Sequence, residues 1–204
     1  MISLILVRHG DCDIVGRGIA GRMSGVHLNK KGVAQVERTG GRIAHLGINT
    51  IYSSPLERTR ETAEILQRYT NVSCIFTDEL LEIDYGEWTG KMFDDLNGIE
   101  LWRLYNTARS RVGIPGGEMM IEVQGRIAGF VESLRRKHDS GKIVIVSHGD
   151  PIKTLICYYA GISLDCMTLF DVATASVSIV SIDAWGAHVQ CINDTGRYRI
   201  KSAI

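Results

Sequence analysis

Two short apolar runs, each followed at once by a histidine, constrain the fold of this chain more than any other feature. Residues 3–7 read SLILV and lead into Arg8-His9, and residues 142–146 read KIVIV and lead into Ser147-His148. Continuous apolar runs of this length are typical of strands buried on both faces of a parallel sheet. Ligands of such sheets bind beyond the carboxyl ends of the strands. The sequence therefore predicts that both histidines lie on one rim of a sheet.

Helical and strand patterns alternate along the rest of the chain. Apolar spacing and flanking turn residues predict further strands over 49–53, 73–77, 175–182 and 188–192, and helices over 30–46, 55–69, 92–107, 118–138 and 151–160. Residues 11–29 and 80–89 lack a regular period, so we expect loops there. Such alternation indicates the α/β class. We expect a single three-layer domain over residues 1–204, with a mainly parallel mixed sheet and helices on both faces.

The start of the second predicted helix carries a capping pattern. Ser54 fits the N-cap, Pro55 the first helical position and Glu57 the reciprocal acid of a capping box. Arg58 then falls in the first turn of this helix, close to the end of the strand before it.

Composition excludes several classes of protein. Lys plus Arg and Asp plus Glu both total 23, so the chain lacks the basic excess that holds nucleic acid. No segment approaches the roughly 18 apolar residues of a membrane span, and the N-terminal apolar run is too short for a secretory signal. Five cysteines without a CxxC pair indicate reduced thiols and no metal site. We expect a cytoplasmic protein without a nucleic acid or membrane partner.

The residues at the strand ends favour phosphoryl transfer. A phosphoryl group spreads negative charge over three oxygens, and its transfer depends on holding and neutralising that charge. Arginine matches phosphate bidentately and keeps its proton, which makes Arg8 and Arg58 candidates for this role. Neutral imidazole is a competent nucleophile near neutral pH, so His9 is the candidate acceptor of the group. Three other arginines could assist: Arg17, Arg22 and Arg60, of which we interpret Arg60 as an ordinary residue of a charged helix.

Four segments together resemble the signature of the histidine phosphatase superfamily, also called the phosphoglycerate mutase-like family. They are Leu6-Val7-Arg8-His9-Gly10, SSPLERTRETA at 53–63, LEIDYGEWTG at 81–90 and Val146-Ser147-His148-Gly149. The segments follow the family's order and span most of the chain. Residues 20–28 and 193–195 resemble the phosphatase branch, and the chain is compact where the mutases usually carry a longer insertion.

The resemblance implies a metal-independent phosphatase of the phosphoglycerate mutase-like fold that uses no cofactor. It implies that His9, Glu82 and His148 are catalytic, with His9 as the residue that is phosphorylated and Glu82 as the proton donor. It also implies that Arg8, Arg58 and His148 bind the substrate phosphate. The expected partner is a small phosphate monoester. Residues 92–118 are where we look for substrate selectivity, because they connect the acid segment to the sheet.

Several alternatives stay open at this stage. Asp150, which follows the second histidine, is an alternative proton donor, and Val15 stands where many relatives carry a pocket asparagine. A mutase-type phosphotransferase would use the same phosphohistidine, and a catalytically silent regulatory module would keep the phosphate pocket without turnover. The sequence does not identify the substrate. It also leaves the oligomeric state open, with a homodimer as one alternative.

Overall fold

The computed structural model describes residues 1–196 and contains a sheet of six strands. They are β1 Ile2–Arg8, β2 Thr50–Ser53, β3 Cys74–Phe76, β4 Gly141–Ser147, β5 Val177–Ile182 and β6 Ala187–Asp194, in the spatial order β3-β2-β4-β1-β5-β6. The first four strands in this order are parallel, β5 is antiparallel to β1, and β6 is antiparallel to β5. The predicted mainly parallel mixed sheet is therefore confirmed.

Helices cover both faces of this sheet, as predicted. They are α1 Lys30–Ile43, α2 Glu57–Thr70, α3 Phe93–Leu96, α4 Glu100–Thr107, α5 Met120–Lys137 and α6 Gly149–Ala160, with short 3-10 turns at Ala44–Leu46, Asp78–Leu80, Gly86–Trp88 and Leu164–Leu169. Alternate side chains of the strands pack against α1 and α2 on one face and against α5 and α6 on the other. Burial of each aliphatic side chain in these layers contributes about 1.5–3 kcal/mol. Among residues 1–196, no helix has the length and apolarity needed to span a bilayer.

The pairing of β1 with β4 brings the two histidines to the same edge of the sheet. The strands run parallel with Arg8 opposite Ser147, so His9 and His148 follow at equivalent positions. The backbone N–H of His9 extends this ladder by donating to the carbonyl oxygen of Ser147 at 3.0 Å. Parallel pairing in this register therefore produces the common rim that the two apolar runs predict.

The capping pattern predicted at Ser54 is wrong. Helix α2 begins at Glu57, and its N-cap is Leu56, whose side chain makes no capping hydrogen bond. The Ser54 hydroxyl instead bonds to Nε2 of His148 at 2.9 Å, and Glu57 accepts a hydrogen bond from the backbone N–H of Gly25 at 2.9 Å. Tertiary partners thus occupy both side chains that would have formed the local cap.

Two other helix predictions need smaller corrections. The predicted helix over 92–107 divides into α3 and α4 around Gly98, a residue whose backbone freedom weakens helices. Helix α6 begins at Gly149 rather than at Pro151, directly after His148 as its N-cap. The loop predicted over 11–29 is confirmed, and its one strand-like contact is an isolated bridge between Gly18 and Met92.

Candidate active site

A cavity of about 330 Å³ opens at the carboxyl-end edge of β1 and β4. Four of the predicted site residues line it: Arg8, His9, Arg58 and Glu82. His148 lies beside His9 but does not line the cavity. Residues 11–29 and the acid segment over 80–89 close its sides, so the two predicted loops border the site.

The imidazole of His9 is held in one tautomer. Its Nδ1 lies 2.7 Å from the carbonyl oxygen of Gly10. A carbonyl oxygen only accepts, so Nδ1 carries the proton and Nε2 keeps its lone pair. Burial lowers the pKa of His9 well below its ordinary value, and the charges of Arg8 and Arg58 lower it further. His9 is therefore a neutral imidazole with an unprotonated Nε2.

Glycine is required after His9 because helix α1 approaches the backbone there. A Cβ atom on Gly10 would lie 2.7 Å from the carbonyl oxygen of Gly32 and 2.8 Å from Cγ2 of Val36. The backbone N–H of Gly10 also donates to the Thr62 hydroxyl of α2 at 3.1 Å. Two helices thus fix the carbonyl that sets the tautomer of His9.

Two arginines flank His9, the partly buried Arg8 and the fully buried Arg58, and each has one buried nitrogen without a partner. Nη1 of Arg8 donates to the carbonyl oxygen of Val172 at 2.7 Å, and Nη2 of Arg58 donates to that of Gly21 at 2.7 Å. Nε of Arg8 and Nη1 of Arg58 are buried and have no hydrogen-bond partner among residues 1–196. Buried guanidinium donors normally have acceptors, so this arrangement has the chemistry to bind an anion. Arg58 is only 1% exposed, so it is not a solvated residue on the helix surface.

His148 lies edge-on against His9, with ring centroids 5.3 Å apart. It is fully buried, and burial together with the charge of Arg58 lowers its pKa well below the ordinary value. Its Nε2 bonds to the Ser54 hydroxyl, and its Nδ1 has no hydrogen-bond partner within the described part of the chain. Ser54 is a site residue that the sequence reasoning missed, because the capping pattern offered it a local role.

Glu82 and Asp150 face the same cavity in different protonation states. Burial and the nearby charge of Asp150 raise the pKa of Glu82 to about 7. Burial alone would also raise the pKa of Asp150, but the Arg109 guanidinium and the Tyr85 hydroxyl hold it below its ordinary value. Near neutral pH a large fraction of Glu82 therefore carries a proton, whereas Asp150 is ionised.

The partners of Asp150 form a network that the sequence did not indicate. Tyr85 donates to Oδ2 of Asp150 at 2.5 Å, and Nη1 of Arg109 reaches the same oxygen at 3.3 Å. Arg109 also donates to the side chain of Asn106 at 2.7 Å and lies over the ring of Tyr105. The only available signal for this network was the position of Asp150 beside His148.

Residues from the predicted selectivity region also line the cavity. They are Phe93, Trp102, Asn106 and Arg109, and Val15 lines it as well. Lys153 and Asp171 add one charge of each sign. The three further arginine candidates do not line the cavity: Arg17, Arg22 and Arg60. Arg60 instead lies over the ring of Phe76, 4.1 Å from its centroid.

Among residues 1–196, no group of three or more His, Cys, Asp or Glu side chains has an arrangement that would hold a metal ion.

Comparisons with known proteins agree on one family. The family model described as the histidine phosphatase superfamily (branch 1) matches residues 4–195. Phosphoserine phosphatase 1 of Hydrogenobacter thermophilus is 30% identical over 188 residues, which cover 90% of this chain and 88% of that protein. The probable phosphoglycerate mutase GpmB of Salmonella paratyphi B is 33% identical over 165 residues, or 79% of this chain and 76% of that protein. The solved structure of Bacillus stearothermophilus YhfR has a TM-score of 0.89 and 28% identity, covering 95% of this chain and 98% of that one.

Proposed function

The chain belongs to the histidine phosphatase superfamily, as its four motifs predict, and we propose that it hydrolyses small phosphate monoesters through a phosphorylated His9. One observation carries the proposal: the Gly10 carbonyl holds the proton of His9 on Nδ1, which leaves Nε2 free to attack. Arg8 and Arg58 line the same cavity, each has a buried donor without a partner, and their charge matches that of a phosphoryl group.

In the first step, Nε2 of His9 forms a bond to phosphorus while the bond from phosphorus to the leaving oxygen breaks. Arg8 and Arg58 stabilise the charge on the phosphoryl oxygens, with hydrogen bonds worth about 1.5–3 kcal/mol each. Glu82 gives its proton to the leaving oxygen, and the free alcohol departs. His148 does not line the cavity, so its contact with the phosphate stays a prediction; it would use Nδ1–H, which is present when the Ser54 hydroxyl donates to Nε2.

In the second step, water attacks phosphorus and the bond from phosphorus to Nε2 breaks. Glu82, now ionised, takes a proton from the water, and the electron pair returns to His9. Inorganic phosphate leaves, and both residues regain their starting protonation states. A pKa near the working pH suits a residue that serves first as acid and then as base.

Glu82 is a better proton donor than Asp150 because the two carboxyls are charged differently. Asp150 is already ionised and accepts from Tyr85 and Arg109, so it has no proton to give. Its charge helps to keep Glu82 protonated. We therefore assign proton donation to Glu82 and an electrostatic role to Asp150.

Phosphoserine is the first substrate to test, because the relative from Hydrogenobacter thermophilus bears that name. Because another relative is named as a probable phosphoglycerate mutase, transfer of the phosphoryl group to a second alcohol is the alternative activity to test. Assays with 3-phosphoglycerate and its bisphosphate primer separate the two. A cytoplasmic location remains a prediction, and a homodimer remains one alternative for the assembly.

The proposal is tested by trapping the intermediate. A radiolabelled phosphate monoester, chosen from a screen by phosphate release, is mixed rapidly with enzyme and quenched without acid, because phosphohistidine is acid-labile. We expect label on His9 in the wild type and neither label nor turnover in His9→Ala. Substitution of the exposed His45 by Ala is the matched control and should retain both. Label on another side chain, or undiminished hydrolysis by His9→Ala, would contradict the proposal.

A further inference from the structure

Arg22 lies behind the cavity and contacts the segment that carries Glu82. Its Nε donates to the backbone carbonyl oxygen of Glu82 at 2.9 Å, and its Nη2 donates to Oε2 of Glu118 at 2.7 Å. The Arg22 side chain is 32% exposed and does not line the cavity. It therefore takes no part in binding the phosphoryl group, although it touches the residue assigned as proton donor.

Glu118, at the start of the segment leading into α5, is the centre of a wider set of contacts. Its Oε2 accepts from Arg22, from the backbone N–H of Asp84 at 3.0 Å and from Nη2 of Arg126 at 3.2 Å. Nη1 of Arg126 in turn donates to the carbonyl oxygen of Leu81 at 3.0 Å. These contacts fix the backbone on both sides of Glu82.

The position of the Glu82 carboxyl depends on this backbone. Its Oε1 accepts from the backbone N–H of Ile83 at 3.0 Å, a contact within the same segment. The Ile83 side chain is fully buried, which anchors the segment from the other side. A shift of the Glu82 peptide would therefore carry the carboxyl with it.

The residue before Arg22 holds the phosphate-binding side of the site. The carbonyl oxygen of Gly21 accepts from Nη2 of Arg58 at 2.7 Å. Adjacent residues of one loop thus hold an arginine of the phosphate pocket and the backbone of the proton donor.

We propose that Arg22 is a positioning residue for Glu82, which fixes the acid at the distance from the phosphate pocket that proton transfer to the leaving oxygen requires. This inference rests on the proposed function. Small displacements of a catalytic group are costly, since about 1 Å of misplacement lowers rates by up to about 100-fold. The cost falls on proton transfer to the leaving oxygen, so it grows with the need of the leaving group for a proton.

The test compares substrates that need the acid to different degrees. An alkyl phosphate has a poor leaving group and depends on protonation, whereas 4-nitrophenyl phosphate has a good one and depends on it little. The ratio kcat/KM reports the steps up to departure of the leaving group. For Arg22→Met we expect kcat/KM to fall at least about 10-fold with the alkyl phosphate and less than about 3-fold with 4-nitrophenyl phosphate.

Controls separate positioning from general damage. Arg135→Met removes a similar pair of contacts, to Glu132 at 2.8 Å and to the carbonyl oxygen of Asp183 at 3.3 Å, remote from the cavity, and should leave both ratios unchanged. Arg22→Lys retains one donor and should show a smaller selective loss. Arg22→Met should fold, because Glu118 keeps Arg126 and Asp84 as partners. If it does not, Glu118→Gln and Arg22→Lys carry the same test.

Failure of this inference is distinct from failure of the proposed function. Glu82→Gln, measured with the same two substrates, reports whether Glu82 is the acid at all. If Glu82→Gln loses activity selectively and the Arg22 variants lose it equally with both substrates or not at all, the positioning role is wrong. If Glu82→Gln itself shows no selectivity, the assignment of the acid is wrong and the inference fails with it.

Discussion

The carbonyl oxygen of Gly10 has two hydrogen-bond donors, and one of them determines the chemistry of His9. It accepts from Nδ1 of His9 at 2.7 Å and from Sγ of Cys12 at 3.5 Å. The shorter contact excludes the other tautomer, in which Nε2 would carry the proton and could not attack. Burial raises the pKa of the Cys12 thiol, so this cysteine keeps its proton beside His9, the proposed nucleophile, and does not compete with it.

The protonation of Glu82 predicts how activity depends on pH. Since the pKa of Glu82 is raised to about 7, the fraction of enzyme with a protonated acid falls as the pH rises through that value. We expect kcat/KM for an alkyl phosphate to decline between about pH 6.5 and 8.5, by about tenfold per pH unit at the upper end. Steady-state rates across this range measure the decline.

Glu82→Gln provides the control for this pH dependence. The amide cannot titrate, so the decline should disappear while the absolute rate drops. The second ionisation of the substrate, near about pH 6, affects both enzymes equally. A decline that persists unchanged in Glu82→Gln would show that another group causes it.

Ser54 is expected to support both stability and activity through His148. Removal of its hydroxyl leaves Nε2 of a fully buried imidazole without its partner, which costs about 1–2 kcal/mol of the free energy of unfolding. The orientation of the His148 ring beside His9 is then no longer held by this contact, so we expect kcat/KM of Ser54→Ala to fall about 10-fold. Urea unfolding and steady-state kinetics measure the two effects.

Ser176 offers a matched comparison for Ser54. Its hydroxyl is also fully buried but has no hydrogen-bond partner among residues 1–196, so Ser176→Ala removes a group that gains nothing from burial. We expect this variant to be as stable as the wild type or more so. Equal losses of stability in Ser54→Ala and Ser176→Ala would show that the hydrogen bond between Ser54 and His148 does not stabilise the fold.

At the scale of elements, the packing of α1 on α2 supports the backbone next to His9, the proposed nucleophile. Helix α2 supplies both Arg58 and the Thr62 hydroxyl that holds the Gly10 backbone, and α1 packs against that same glycine.

Two adjacent glycines in α1 have different surroundings. A Cβ atom on Gly40 would lie 2.4 Å from the Tyr69 ring of α2, whereas one on Gly41 would meet nothing within 4 Å.

This difference predicts opposite effects of the same substitution. Gly41→Ala should raise the free energy of unfolding by about 0.5–1 kcal/mol, because alanine loses less backbone entropy in a helix. Gly40→Ala should lower it by about 1 kcal/mol, because Tyr69 must move to admit the methyl group. Urea unfolding midpoints of the two variants measure the contrast. Stabilisation by both would mean that the close contact between α1 and α2 has no energetic weight.

At the scale of the whole molecule, the sequence predicted what local patterns and family motifs determine. The apolar runs of β1 and β4 predicted the central strands. The histidines that follow these runs, His9 and His148, were predicted to share one rim, and the parallel pairing of the two strands places them there. The contact of Ser54 with His148 joins residues 94 positions apart, and that of Arg109 with Asp150 joins residues 41 apart. Neither contact produces a periodic pattern in the sequence from which it could be predicted. The capping prediction at Ser54 failed for the same reason, since its hydroxyl bonds to the distant His148 and does not cap α2.

The charge state of the site also arises only in the folded molecule. The sequence places Glu82 in a motif but does not show that burial and Asp150 raise its pKa. It does not show that Tyr85 and Arg109 keep Asp150 ionised, because their segments meet only when α6 packs beside residues 80–109. The choice between the two carboxyls as proton donor therefore became possible only from the fold.

Because the site draws on segments that are distant in sequence, binding of one anion should stabilise the whole fold. Arg8 comes from β1 and Arg58 from α2, and their buried donors without partners meet around one anion only in the folded state. Inorganic phosphate at about 100 times its dissociation constant should stabilise the wild type by about 2.7 kcal/mol. Arg58→Met should lose most of this gain because it removes a donor from the pocket, whereas Arg135→Met should keep it. Thermal unfolding with and without phosphate measures the gain. A full wild-type shift in Arg58→Met would mean that phosphate binds elsewhere on the molecule, and that Arg8 and Arg58 do not form the pocket on which the proposed chemistry depends.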